Sequence, residues 1–203
     1  MSPTLESSLI SASVALLVVL IGQVLVPIAR ERHASKRDAQ YLAIRIVCIL
    51  DQYVEDCAST ATDAGEENEQ GIPIAQVDAP RAPAYPSDVN WKSIDATMMY
   101  RILSLPAAAD RAANYVSGVS EHSDPPDCSE FFEARSLRYS RLGLEAHELT
   151  AALRRKYGIQ EIPNQSWDPV QAMKAELKAI DDRQKQSAAA WAKLMPPAGS
   201  EPA

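Results

Sequence analysis

Leu9 to Ala29 reads LISASVALLVVLIGQVLVPIA, and no charged residue occurs between Glu6 and Arg30. As a helix this stretch would extend about 30 Å, the thickness of a bilayer's hydrocarbon core. Thirteen Leu, Ile or Val residues lie within it. At roughly −0.3 to −0.6 kcal/mol each near a helix centre, they favour insertion by about 4 to 8 kcal/mol. Ser11, Ser13, Gly22, Gln23 and Pro27 subtract from that sum without cancelling it. A cleaved signal peptide would start with basic residues and end on small ones before a cleavage point. Here Glu6 precedes the stretch and Val-Pro-Ile-Ala-Arg-Glu-Arg closes it, so it reads as a retained transmembrane anchor.

Arg30, Arg32, Lys36 and Arg37 follow the stretch, and no Lys or Arg precedes it. By the positive-inside rule the N-terminus is expected outside and the C-terminal domain in the cytoplasm. Cys48, Cys57 and Cys128 would then sit in a reducing compartment, and an odd count closes no disulfide framework. They read as small buried apolar residues. A thiol or metal site is the alternative, but there is no Cys-x-x-Cys, and His33, His122 and His147 show no ligand spacing around the cysteines. Ser8, Ala15, Gly22 and Ala29 recur every seven residues, which is either a seam for close helix packing or the ordinary small-residue content of a membrane helix.

Outward from the anchor, the chain is 203 residues with 46% apolar residues, 7 Gly and a formal net charge of −7. Few β-branched runs occur beyond the anchor, so helix is expected to dominate. Leu42, Ile46, Ile49, Leu50, Tyr53, Val54 and Cys57 fall at helical spacings and predict an amphipathic juxtamembrane helix over 30–62. Its basic start would also attract anionic lipid. From 63 to 87 the pattern fails. Asp63, Glu66, Glu67, Glu69 and Asp78 are followed by Pro80, Pro83 and Pro86, which predicts a disordered loop.

A helical domain is expected over 88–195. Ser93 reads as the cap of a short helix carrying Ile94, Met98, Tyr100, Ile102 and Leu103, and Ser104 with Pro106 reads as a second start running to His122. Asp127 and Glu130 resemble a capping box ahead of a long helix, Cys128–Tyr157, with Phe132, Tyr139, Leu142, Ala146, Leu149 and Leu153 inward and Gly158 as its stop. Arg135, Arg138 and Arg141 ladder along it and read as a solvated face paired with Glu145 and Glu148. The last helix opens at Trp167-Asp168-Pro169. It places Val170, Met173, Leu177, Ile180, Gln184, Ser187, Trp191 and Leu194 at heptad a and d positions, a seam for packing either within the domain or against a partner. Pro196 and Pro197 end it, and 196–203 reads as a disordered tail.

Catalytic constellations are missing from this pattern. Glu145-Ala-His147-Glu148 lacks the spacing that puts two metal ligands on one helical face. Asp181 and Asp182, adjacent on a helix, point about 100° apart and make no shared-proton dyad. No glycine-rich phosphate loop, Gly-x-Ser-x-Gly or kinase signature occurs. No catalytic, cofactor-binding or metal residue is assigned, no cofactor is expected, and no enzyme activity or nucleic-acid partner is expected.

The runs VNWKSIDATMMYRIL, YVSGVSEHSDPP and FEARSLRYSRLGLEAHELTAALRRKYGI between Asp88 and Ile159, with YLAIRIVCILDQYVEDCAS, resemble a group of short bacterial single-pass membrane proteins without assigned activity. The resemblance implies a bacterial cytoplasmic-membrane setting and no functional residue. The expected fold is thus all-α, a single transmembrane helix (9–29, after an outside segment 1–8) followed by a small antiparallel helical bundle. The expected role is a membrane-anchored adaptor or scaffold, with the lipid bilayer as one partner and a second copy or another protein docking on helix 168–195. The alternative is a tethered sensor whose ligand pocket is lined by Trp91, Tyr100, Tyr115 and Tyr139.

Overall fold

A computed structural model describes Gln23 and residues 26–123, 127–161 and 167–194. Four helices carry it: α1 (Val26–Ala61), α2 (Ala96–His122), α3 (Ser129–Tyr157) and α4 (Pro169–Leu194). A two-stranded antiparallel ribbon, β1 (Glu66–Glu67) with β2 (Pro73–Ile74), lies between α1 and α2.

The expected transmembrane helix is corrected here. Among the described residues no helix is long and apolar enough to cross a membrane. Apart from Gln23 and 26–29, the stretch 9–29 lies outside the described residues, as do 1–8 and 196–203. Val26 to Ala29 form the first turn of α1, and that helix continues through Arg30, Glu31, Arg32, Lys36, Arg37 and Asp38, all exposed. Charges at that density oppose burial in hydrocarbon, since each costs about 2.5–3.5 kcal/mol at a bilayer's centre. The described fold is an all-helical bundle, without the membrane-spanning, single-pass element.

Helix α3 is the central element. Its Arg154 meets Asp51 of α1 and its Arg135 meets Thr60, so α1 runs antiparallel to it. Lys156 meets Asp95 just ahead of α2, and Arg138 lies over the Tyr115 ring, so α2 is antiparallel as well. Ser136 meets Glu176, and Gln184 meets Glu133, which sets α4 the same way. The α1–α3 pairing is the most extensive. Its core holds Leu42, Ile46, Leu50 and Cys57 of α1 against Tyr139, Leu142, Ala146, Leu149 and Leu153 of α3. Gly143 makes the close approach of three helices feasible: a Cβ there would lie 2.8 Å from the Cys57 Cβ and closer still to the Met173 sulfur.

Because α1 and α2 both oppose α3, the chain after α1 must return along the bundle before α2 can start. Residues 62–95 do this as a strap, carrying Ala82, Pro83, Tyr85, Val89 and Trp91 onto the core. The disorder expected for 63–87 is replaced by this ordered path, and its anchors are polar. The two short helices expected at 93–122 are one: Asp95 caps α2 by accepting from the Met98 N–H at 2.8 Å, and Pro106 lies inside it. A proline there removes one i→i−4 bond, while Ile102, Leu105, Ala109, Ala112 and Val116 stay buried on one face. At the other end of the pattern, Gly158 closes α3 in the left-handed conformation, φ 67°, which glycine adopts without steric cost.

Candidate functional site

Arg135 contradicts the solvated face expected of it. Its side chain is 6% exposed and lies 3.3 Å from Asp63, whose side chain is 4% exposed. Its Nε donates to the Thr60 carbonyl at 3.4 Å, and its terminal nitrogen donates to the Val77 carbonyl. Asp63 in turn accepts from the backbone N–H groups of Gly65 (3.0 Å), Gln76 (2.9 Å) and Val77 (2.9 Å). Burial alone would raise the Asp63 carboxyl. The Val77, Gly65 and Gln76 amides, with Arg135 beside them, outweigh it and hold the carboxyl below its usual range. Burial lowers the Arg135 guanidinium, against the pull of Asp63, and a guanidinium stays charged throughout. One carboxylate therefore closes the ribbon, and one guanidinium bolts it to α1 and α3. The ribbon also presses Gly65, at φ 77°, against the Phe132 ring, where a Cβ would come within 2.5 Å of Cζ.

A second buried polar cluster lies under the strap. Tyr53 and Tyr139 are 3% and 1% exposed, Tyr85 is half-buried, and the hydroxyls of all three are buried without a hydrogen-bond partner in the protein. Cys57, one turn beyond Tyr53, offers that hydroxyl at most a weak sulfur contact. Burial pushes the Cys57 thiol up to about 12, with Tyr53 opposing, so it is inert as a nucleophile near neutrality. Burial likewise raises Tyr53 and Tyr85. The Tyr85 ring meets Trp91 edge-on at 5.9 Å.

Two open clefts flank α4. One, of about 460 Å³, lies at the base of its outer half and is lined by Asp63, Pro73, Cys128, Phe132, Glu176 and Arg183 among others. The other, of about 950 Å³, lies between α1, α3 and the start of α4, with Cys48, Asp51, His147, Arg154, Trp167 and Lys174 on its walls. In it Asp51 and Arg154 are 2.5 Å apart. Burial raises the Asp51 carboxyl and Arg154 opposes. Among the described residues no three His, Cys, Asp or Glu side chains are grouped to hold a metal.

The pocket expected from Trp91, Tyr100, Tyr115 and Tyr139 does not assemble. Tyr139 is in the core, Tyr100 is 74% and Tyr115 49% exposed, and none of the four lines either cleft. On the last helix, Asp168 caps the first turn by accepting from Val170 and Gln171 N–H at 3.0 Å. Of the heptad seam, Met173 and Ile180 are buried and Val170 and Leu177 half-buried, whereas Gln184, Ser187 and Trp191 are exposed. From Asp181 to Lys193 every residue is exposed, over about 20 Å of helix, with Arg183 and Gln184 reaching Glu133 of α3 at its start. Sequence reasoning missed the Arg135 clasp, because its partners lie 58 and 75 residues away. No family model, no curated protein and no solved structure matches this chain.

Proposed function

We propose that this chain is a non-enzymatic helical adaptor or scaffold that docks another polypeptide, a second copy included, on the outer half of α4. The observation that supports it is the run Asp181–Lys193, exposed at every position, with Trp191 66% exposed. Among the described residues this run is tied to the bundle only at its start, where Arg183 and Gln184 reach Glu133, and a helix end of about ten residues beyond them is marginal in water on its own. Tryptophan is also the residue type most enriched where interfaces concentrate their binding energy. Ala188, Ala189, Ala190 and Ala192 surround it with small side chains that permit close approach, and the 460 Å³ cleft at the base of the run extends the same surface.

The test compares the full chain with Trp191→Ala and Ala188→Glu, using affinity capture together with sedimentation velocity. Both variants are expected to keep the helical signal and melting temperature, since neither position is packed, and to lose at least tenfold in partner recovery or self-association. Failure of the unmodified chain to recover any partner or to self-associate would overturn the proposal. So would capture unchanged in both variants.

A further inference from the structure

Between Val26 and Asp38 every described side chain of α1 is exposed, and Ala39 is the first buried position. Successive helical residues turn by about 100°, so Arg30, Arg32, His33, Lys36 and Arg37 share an arc of about 160°, with Glu31 and Asp38 on the opposite side. Among the described residues none of the Arg and Lys side chains of this arc is in an ion pair. Arg32 and Lys36, four apart, repel each other and disfavour the helix in isolation. The other end of the bundle carries the complement. Glu66, Glu67 and Glu69 of the ribbon are exposed, as are Asp127 and Glu130 where α3 starts, and none of these five is in an ion pair among the described residues. The ribbon belongs to that end because Gly65 presses on Phe132 in the first turn of α3. About 40 Å of helix separates the middle of the basic arc from Ala61, after which the ribbon begins, so the two clusters do not meet within one chain.

We infer that the basic arc of α1 is the docking surface for the acidic ribbon of a second copy, in an antiparallel pair with two-fold symmetry. Two bundles laid side by side in opposite directions bring each arc to the other's ribbon, so both contacts form together and the surface closes on itself. A single exposed ion pair holds weakly; the affinity comes from facing clusters at both ends. An apolar contact lies beside them. Ile74, 49% exposed, shares a ribbon face with Glu66, its partner in register, and Ile44, 43% exposed, follows Arg37 by two turns on the same side of α1. The net charge of −7 on each copy opposes approach. Its reach is limited, because the Debye length is about 8 Å at physiological ionic strength, so each cluster responds mainly to the one facing it. Helices α1 and α4 both oppose α3, which puts the start of α1 at the far end of the molecule from the outer half of α4. The inference therefore does not depend on the role proposed for α4.

Sedimentation equilibrium of the full chain tests this. A monomer–dimer equilibrium is expected at about 50 mM salt, weakened at least tenfold at about 500 mM. Arg30→Glu with Arg37→Glu in one variant, and Glu66→Lys with Glu67→Lys in another, are each expected to weaken the dimer at least tenfold while keeping the helical signal, since all four positions are exposed. An equimolar mixture of the two variants is expected to regain it, because in the mixed pair each reversed arc faces a reversed ribbon. Trp191→Ala is expected to leave the dimer unchanged. A chain that stays monomeric at low salt up to millimolar concentration overturns the inference, as does a dimer indifferent to salt or to both charge reversals. Failure of the mixture to regain the dimer overturns it too. Assembly beyond the dimer overturns the antiparallel closure, and loss of the dimer in Trp191→Ala alone assigns self-association to α4 instead.

Discussion

Asp63→Ala and Arg135→Met remove opposite halves of one buried pair, yet the structure predicts unequal losses. Without Asp63, three backbone N–H groups at 2.9–3.0 Å lose a charged acceptor. Arg135, 6% exposed, is left with the carbonyls of Thr60 and Val77 and the Phe131 ring at 5.9 Å. A buried charge stripped of its counter-ion costs about 3–5 kcal/mol. Without Arg135, the Asp63 carboxylate keeps its three amide donors, methionine fills much the same volume, and the loss is two hydrogen bonds, about 1–3 kcal/mol. Urea unfolding followed by far-UV circular dichroism reads the difference, and Asp63→Ala should lower the midpoint by about 1–2 M at unchanged slope. The double variant should recover stability relative to Asp63→Ala. The pH dependence has a fixed sign. Because the folded-state carboxyl is depressed, its contribution is fully present above the unfolded value of about 3.9 and is lost as pH falls through the folded value. The gap between the native chain and Asp63→Ala should therefore close as pH falls from about 4 toward 2. Arg135→Met losing as much as Asp63→Ala, or a gap that does not narrow in acid, refutes this account.

Gly143→Ala should destabilise by about 1–2 kcal/mol, because overpacking costs about 1–3 kcal/mol and the better helix former returns up to about 1. Its Cβ would lie 2.8 Å from the Cys57 Cβ, an atom fixed to the α1 backbone, and thermal melts read the loss. Of the thiols, exposed Cys48 should react with a disulfide reagent within minutes at pH 8. Cys57, buried and pushed up to about 12, should react only at the global unfolding rate, a difference that peptide mapping of the labelled chain resolves.

Much of the helical core was legible because burial follows the 3.6-residue period. Leu42, Ile46, Leu50, Tyr53, Val54 and Cys57 on α1, and Tyr139, Leu142, Ala146, Leu149 and Leu153 on α3, are all buried. Helix ends marked by Asp168 and Gly158 were equally legible, since each is a local cap. What periodicity misses is order imposed by polar groups far apart in sequence. The acidic, proline-rich composition of 63–87 carries no apolar stripe, and its path is set by one carboxylate and an arginine 72 residues away, as the Asp63–Arg135 pair shows. Pro106 misled for a related reason. A proline can start a helix or sit inside one, and only the apolar face from Ile102 to Val116 packing on α3 decides between them. The exposed end of α4 was marked by the break in its seam at Gln184 and Ser187, although the same break is compatible with a seam buried in a bundle.

The strap's path also sets the order in which the molecule can assemble. Helices α2, α3 and α4 follow one another with short links, but α1 meets α3 across contacts such as Thr60 to Arg135, 75 residues apart. Closing a loop of that length costs about 4 kcal/mol in chain entropy beyond a constant. As the ribosome releases this polypeptide, the apolar side of α1 emerges ahead of α3 and finds its complement only after most of α3 has been synthesised. During that interval a nascent-chain chaperone has a target in the apolar face of α1.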